Sequence, residues 1–272
     1  MAGHTAPAVL GPIGSLTLLP LYFELDGSFP NHEANPLEPA NLVDLQRYVL
    51  ETGADIGLAF DGDADRCFVV DERGNPVSPS AVTALVAGRE LTREIGATVI
   101  HNLITSRAVP ELVIERGGTP VRSRVGHSYI KALMADTGAI FGGEHSAHYY
   151  FRDNFYADNG FIPALLILEL VSERGVTLSE LLEPYRSTYF ISGEINTKLS
   201  SMAAVPAKLD VLRARYADGH QYSLDGLSVE YPDWHFNVRA SNTEPLLRLN
   251  LEAKTPGMME ARRDEVLGLI RA

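Results

Sequence analysis

Cysteine is nearly absent. Cys67 is the only one in 272 residues, which excludes a disulfide-stapled scaffold and leaves a reducing compartment open. No apolar run approaches the roughly 18 residues that a membrane-spanning helix needs. No Lys or Arg precedes Arg47, so the apolar opening has neither the basic flank of a secretory signal nor the arginines of a transit peptide. Basic residues are few throughout: 23 Lys and Arg stand against 35 Asp and Glu, a net charge of −12, and they do not cluster. That excludes a broad surface for nucleic acid or an anionic membrane, and any anionic ligand must be met by a few cations in a pocket. Internal repeats and low-complexity tracts are missing too. What remains is an ordinary globular composition, 45% apolar and 21% charged, able to bury a core.

The patterning predicts a helix within Ala6–Leu10, a strand over Leu18–Phe23, and a helix capped by Asn41 with Leu42, Leu45, Tyr48 and Val49 on its apolar face. Strands follow at Ala54–Phe60 and Cys67–Val70, closed by a turn from Asp71 to Pro76. From Ser80 to Phe141 helices and strands alternate, and a buried helix runs over Asn159–Arg174. That alternation argues for a parallel, doubly wound sheet. After Tyr185 the texture changes. Leu247, Leu249 and Leu251 alternate with Arg248, Asn250 and Glu252, as in an antiparallel sheet with one wet face. The expected fold class is α/β: two doubly wound mixed or parallel α/β domains, the first incomplete, and a C-terminal α+β domain with an antiparallel sheet. The expected boundaries are 1–75, 76–186 and 187–272.

Three loops carry chemistry. Asp61-Gly62-Asp63-Ala64-Asp65-Arg66 follows a strand directly. Three carboxylates at alternate positions repel one another unless a cation sits among them, and hard oxygen ligands suit Mg²⁺ or Ca²⁺. A solvated acidic turn is the bland alternative. An EF-hand also begins D-x-D-x-D, but its sixth position requires Gly where Arg66 stands. A dehalogenase-type phosphatase would make Asp61 a nucleophile and expects Thr or Val in place of Asp65. In the second loop, Gly142–His148, Glu144, Ser146 and His148 alternate and could converge on one ligand. Glu and Ser suit sugar hydroxyls, and His moves protons near neutral pH. His145-x-x-His148 has no second pair to make a zinc site. The third loop, Arg239–Pro245, gathers an Arg, two hydroxyls and an amide as a compact phosphate cradle. His127, at a helix start, is a further proton carrier or a cap neighbour.

In this order and spacing the three loops resemble the metal, sugar and phosphate loops of the α-D-phosphohexomutases, in the phosphomannomutase/phosphoglucomutase branch. His145 matches neither the G-E-M-S-x-H nor the G-E-Q-S-G-H form of the sugar loop. The resemblance implies a cytoplasmic isomerase that moves phosphate between C1 and C6 of a hexose through a phosphoserine and a 1,6-bisphosphate. It implies Mg²⁺ on Asp61, Asp63 and Asp65, with Arg66 on the moving phosphate. Glu144 and Ser146 would hold sugar hydroxyls, and Arg239, Ser241, Asn242 and Thr243 the resting phosphate. His148 and His127 would carry protons. Hexose phosphate and hexose 1,6-bisphosphate are the implied partners, with no nucleic acid or membrane. The family's T-x-S-H-N-P motif is not in this sequence, and Thr105-Ser106-Arg107 is its nearest echo. Met1–Thr5 looks like the glycine-rich turn inside the family's second domain. The expectation is therefore a chain without the phosphoserine domain and inactive alone, that domain being encoded upstream or supplied by another chain. The alternative is a non-catalytic remnant or phosphosugar-binding module.

Overall fold

Ala2–Leu10 coils into a helix, α1, instead of the turn expected at Met1–Thr5. Leu18–Phe23 forms no strand, and Pro20, which has no N–H to give a ladder, stands within it. In the computed structural model, which describes residues 1–241 and 244–272, the chain divides into two units. One comprises 1–122 with 126–183, the other 123–125 with 184–272.

In the first unit a 3-10 turn, Pro39–Leu42, leads into α2 (Val43–Thr52), so Leu42 and not Asn41 stands at the helix start. Asn41 instead donates to the Asn35 carbonyl at 2.9 Å. Three antiparallel strands follow: β1 (Ile56–Phe60), β2 (Cys67–Asp71) and β3 (Pro76–Val77). Next come α3 (Pro79–Arg93), β4 (Thr98–Asn102), α4 (Ala108–Glu115), β5 (Thr119–Ser123), α5 (His127–Thr137), β6 (Phe141–Gly143) and β7 (Tyr149–Phe151). The second sheet has the order β5-β4-β6-β7. β4 and β6 are parallel, as the helix–strand alternation requires, and β7 returns antiparallel to β6 as a hairpin. Helices α6 (Phe161–Arg174) and α7 (Leu178–Arg186) complete this run. Ile100, Ile130, Met134 and Tyr150 form one core cluster. Phe60 stacks on Phe161 at 4.4 Å, joining the first sheet to α6.

The second unit contains β8 (Phe190–Ile191), β9 (Ile195–Lys198), α8 (Ala204–Arg215), β10 (His220–Tyr222), β11 (Leu227–Glu230), β12 (Trp234–Ala240), β13 (Leu246–Ala253) and α9 (Pro256–Arg271). The strands pair in the order β10-β11-β12-β13-β8, with β9 also on β13, and every pair is antiparallel. Leu247, Leu249 and Leu251 share a core with Phe236, Val238, Leu212, Val266 and Ile270, as the alternation predicts. The opposite face is not wet along its length: Asn237, Asn250 and Glu252 are buried. Asn237 survives burial by donating to the Asp225 carbonyl at 2.9 Å and to Ser228 Oγ at 3.0 Å.

Candidate active site

The acidic loop leaves β1 and re-enters the sheet at β2. Its tight turn is set by Ala64, which holds φ at 65° and donates its N–H to the Asp61 carbonyl at 3.3 Å. Asp61 accepts from Arg66 twice, from Nε at 2.8 Å and from the backbone N–H at 3.2 Å. The loop is backed by the start of α6. A Cβ on Gly160 would lie 2.8 Å from the carbonyl oxygens of both Ala64 and Arg66, so only glycine allows this approach. Carboxylate oxygens of Asp61, Asp63 and Asp65 all lie within 4.8 Å of one another.

The second loop joins β6 to β7. Gly143 seats it on α3, where a Cβ would stand 2.4 Å from Thr83 Cγ2. Glu144 donates its backbone N–H to the His148 carbonyl at 3.0 Å, and Ala147 turns the loop at φ 67°. The two loops are tied through their backbones. Arg66 and His148 form an antiparallel bridge, and Cys67 N–H reaches the Ala147 carbonyl at 3.4 Å. His148 Nε2 lies 3.8 Å from Asp65 Oδ2, and its Nδ1 shares a hydrogen bond with Ser146 Oγ at 2.9 Å.

Glu144 turns inward and is 2% exposed. Its carboxylate accepts from Asn102 Nδ2 at 3.1 Å, from the Gly126 N–H at 3.1 Å and from Tyr150 Oη at 2.7 Å. Sequence reasoning assigned no role to Asn102, Tyr150 or Gly126; strand-end placement of Asn102 beside the loop was the available signal. His145 turns away from its neighbours and shares a hydrogen bond with Ser80 Oγ at 3.1 Å. His127 begins α5 and is exposed, one residue beyond the Gly126 N–H that Glu144 holds. Asp158, also unassigned from sequence, accepts from Lys131 Nζ at 2.8 Å and forms a second close group with Asp65 and His148.

The third loop lies in the second unit. Arg239 is the penultimate residue of β12, and its Nη2 donates to Glu194 Oε2 at 2.7 Å. Ser241 is buried, its N–H on the Leu246 carbonyl at 3.0 Å. Asn242 and Thr243 lie outside the described residues.

Models of the phosphoglucomutase/phosphomannomutase family match residues 1–74 (alpha/beta/alpha domain II), 78–189 (alpha/beta/alpha domain III) and 194–269 (C-terminal domain). The chain belongs to this family. It is 44% identical over 248 residues to a phosphomannomutase of Salmonella montevideo, covering 91% of this chain and 54% of that protein. It is 40% identical over 259 residues to a phosphomannomutase of Escherichia coli, covering 94% and 56%. A crystal structure of a phosphoglucomutase/phosphomannomutase family protein from Burkholderia thailandensis superposes with a TM-score of 0.87 at 32% identity, over 99% of this chain and 58% of that one. This chain thus spans about half the length of the curated relatives it matches.

In this phosphohexomutase-family chain the electrostatics of the joined loops follow from burial and neighbours. Burial and the charges of Asp61, Asp63 and Asp158 push the Asp65 carboxyl up to about 6. Burial also works against ionised Asp61, but the Arg66 hydrogen bonds and charge outweigh it and hold that carboxyl below the ordinary range. Burial lowers His148, aided by Arg66 and opposed by Glu144, Asp158 and Asp61. The acidic loop therefore carries more negative charge than its own donors neutralise. Asp65 Oδ1 is buried without a hydrogen-bond donor. An all-oxygen set with an unsatisfied acceptor fits a small hard divalent cation such as Mg²⁺.

Proposed function

We propose that this chain forms the metal-, sugar- and phosphate-holding part of a phosphohexomutase that interconverts hexose 1-phosphate and hexose 6-phosphate. The observation that carries the reading is the backbone junction of the acidic loop with the Glu144–His148 hairpin, which brings the carboxylates of Asp61, Asp63 and Asp65 beside His148. Asp61, Asp63 and Asp65 would hold Mg²⁺. When bound, it supplies neutralisation of charge on phosphoryl oxygens.

The chain's own residues then divide the work. Arg66 fixes the Asp61 carboxylate through Nε and keeps further N–H donors for the phosphate of the reacting end. His148, kept neutral by burial, accepts a hydroxyl proton at the ring nitrogen that Ser146 does not engage. Glu144 holds the hairpin in shape and addresses sugar hydroxyls with whatever acceptor capacity its three donors leave. His127 is the second candidate proton carrier. Arg239, Ser241, Asn242 and Thr243 hold the phosphate that is not reacting. The reading needs three functional segments, 1–75, 76–186 and 187–272. It needs a phosphoserine supplied from outside this sequence, with a hexose 1,6-bisphosphate as the species that turns over between the two ends.

Calorimetric titration of Mg²⁺ into the chain tests the metal assignment. Weak saturable binding is expected, and it should be lost in Asp61→Asn/Asp63→Asn. Absence of binding up to about 10 mM would remove the cation site, since carboxylate sites without substrate phosphate bind Mg²⁺ weakly but measurably. Titration of glucose 1-phosphate tests the ligand class, and mixing with a serine-bearing family domain tests turnover.

A further inference from the structure

Beside the oxygen-only acidic loop lies a group of different chemistry. Asp65, His148 and Asp158 each present a ligand atom within 4.8 Å of the other two. Backbone contacts hold all three. The Arg66–His148 bridge sets the acidic loop against His148. A bridge between Tyr150 and Asp158, with the Asn159 N–H on the Tyr149 carbonyl at 3.0 Å, lays Asp158 along β7. His148 Nδ1 shares a hydrogen bond with Ser146 Oγ at 2.9 Å, and its Nε2 lies 3.8 Å from Asp65 Oδ2. A histidine fixed through one ring nitrogen by an outer partner presents the other to a metal. Asp158 Oδ1 accepts from Lys131 Nζ at 2.8 Å, which anchors that carboxylate, and its second oxygen makes no hydrogen bond among the described residues. Asp65 Oδ1 is buried without a hydrogen-bond donor.

The charged groups around the three are the carboxylates of Asp61, Asp63 and Glu144 and the cations of Arg66 and Lys131. Carboxylates outnumber cations, so a positive ion is favoured there. Side-chain exposures of 33% for Asp65, 22% for His148 and 15% for Asp158 leave one side open for an ion to enter and keep a water. A four-coordinate ion bonded at about 2 Å separates its ligands by about 3.3 Å, so the 3.8 Å gap needs only a small closure. Imidazole with two carboxylates suits Zn²⁺ or Co²⁺, whereas Mg²⁺ takes oxygen. We propose that Asp65, His148 and Asp158 form a second cation site, one that takes a transition ion such as Zn²⁺, with Asp65 shared between it and the Mg²⁺-type loop. The site rests on this geometry alone. Its consequence rests on the mutase reading: the ion takes the His148 nitrogen that accepts the hydroxyl proton, and so closes the proton path.

Calorimetric titration of Zn²⁺ and, separately, Mg²⁺ into the full chain tests the site, with Co²⁺ followed by visible absorption. Asp158→Asn and His148→Gln should each weaken Zn²⁺ binding by at least about tenfold, the loss seen even for an outer-shell partner, and spare Mg²⁺. Asp63→Asn should weaken Mg²⁺ more than Zn²⁺. The intense visible bands of four-coordinate Co²⁺ should appear with the wild type and vanish with His148→Gln. If either variant does not fold, the ¹⁵N ring resonances of wild-type His148 carry the test: Nε2 should shift strongly on Zn²⁺ addition and Nδ1 little. Zn²⁺ binding lost in Asp63→Asn but kept in Asp158→Asn and His148→Gln would place the ion in the acidic loop, overturning the second site and leaving the Mg²⁺ reading intact. Binding that survives all three variants, or no Zn²⁺ binding up to about 1 mM, would also overturn it. Zn²⁺ binding with these variant effects but no Mg²⁺ binding would support the second site and remove the Mg²⁺ reading.

Discussion

Glu144 receives three donors from three different elements, β4, the start of α5, and β7. Its sequence neighbours suggested an extended loop with every second side chain on one side. Ala147, in the left-handed region at φ 67°, bends that loop, and the three side chains still meet: His148 Nδ1 lies 2.9 Å from Ser146 Oγ and 3.7 Å from Glu144 Oε2, with Glu144 itself buried. No local pattern announces that turn, because alanine has no preference for that region. Burial also decides Cys67. It is 1% exposed on a fully buried strand, and burial pushes its thiol well above the usual range. Ellman's reagent at pH 8 should find no reactive thiol in the native chain and one per chain after denaturation. Ready reaction of the native protein would contradict the described strand.

Helix α7 shows how far an element can depend on distant chain. Thr177 and Glu180 form a local capping box. The Thr177 N–H donates to Glu180 Oε2 at 2.9 Å, and the Glu180 N–H donates to Thr177 Oγ1 at 3.4 Å. The next free donor, the Ser179 N–H, is taken at 3.1 Å by Glu72, on the turn between β2 and β3, and Ser179 Oγ also donates to Glu72. Glu72→Gln should lower stability by about 1 kcal/mol in urea unfolding. Burial opposes ionised Glu72, but the Ser179 and Thr177 hydrogen bonds outweigh it and leave the folded carboxyl below its ordinary 4.5. Its contribution is therefore complete above that value and fades as pH falls through the folded value. The gap between wild type and Glu72→Gln should shrink on acidification; a gap that widened would refute the assignment. Gly160 is the second inter-element contact. In Gly160→Ala a Cβ must push α6 off the carbonyls of Ala64 and Arg66, so both the thermal midpoint and Mg²⁺ affinity should drop. Loss of neither would mean that the loop relaxes freely.

At the scale of the whole molecule, the only tryptophan is Trp234, buried in the second unit, where it stacks on Tyr231 at 4.7 Å. Its fluorescence reports that unit alone, whereas far-UV circular dichroism reports both. The two probes should give different urea midpoints, as expected when units unfold separately. Coincident curves would show a single cooperative transition. The fold class, the alternating elements from Ser80 to Phe141 and the apolar face of β13 were legible in the sequence, because periodicity and turn residues act over a few positions. The meeting of the acidic loop with the Gly142–His148 loop was not, although their carboxylates and histidine stand out without coordinates. Tertiary structure alone decided the rest: the bridge between Arg66 and His148, the inward turn of Glu144, the Glu72 cap on α7 and the opposition of Arg239 to Arg248. Each joins residues separated in the chain, and the free energy that selects such partners comes from burial and hydrogen-bond satisfaction, which no short stretch of sequence records.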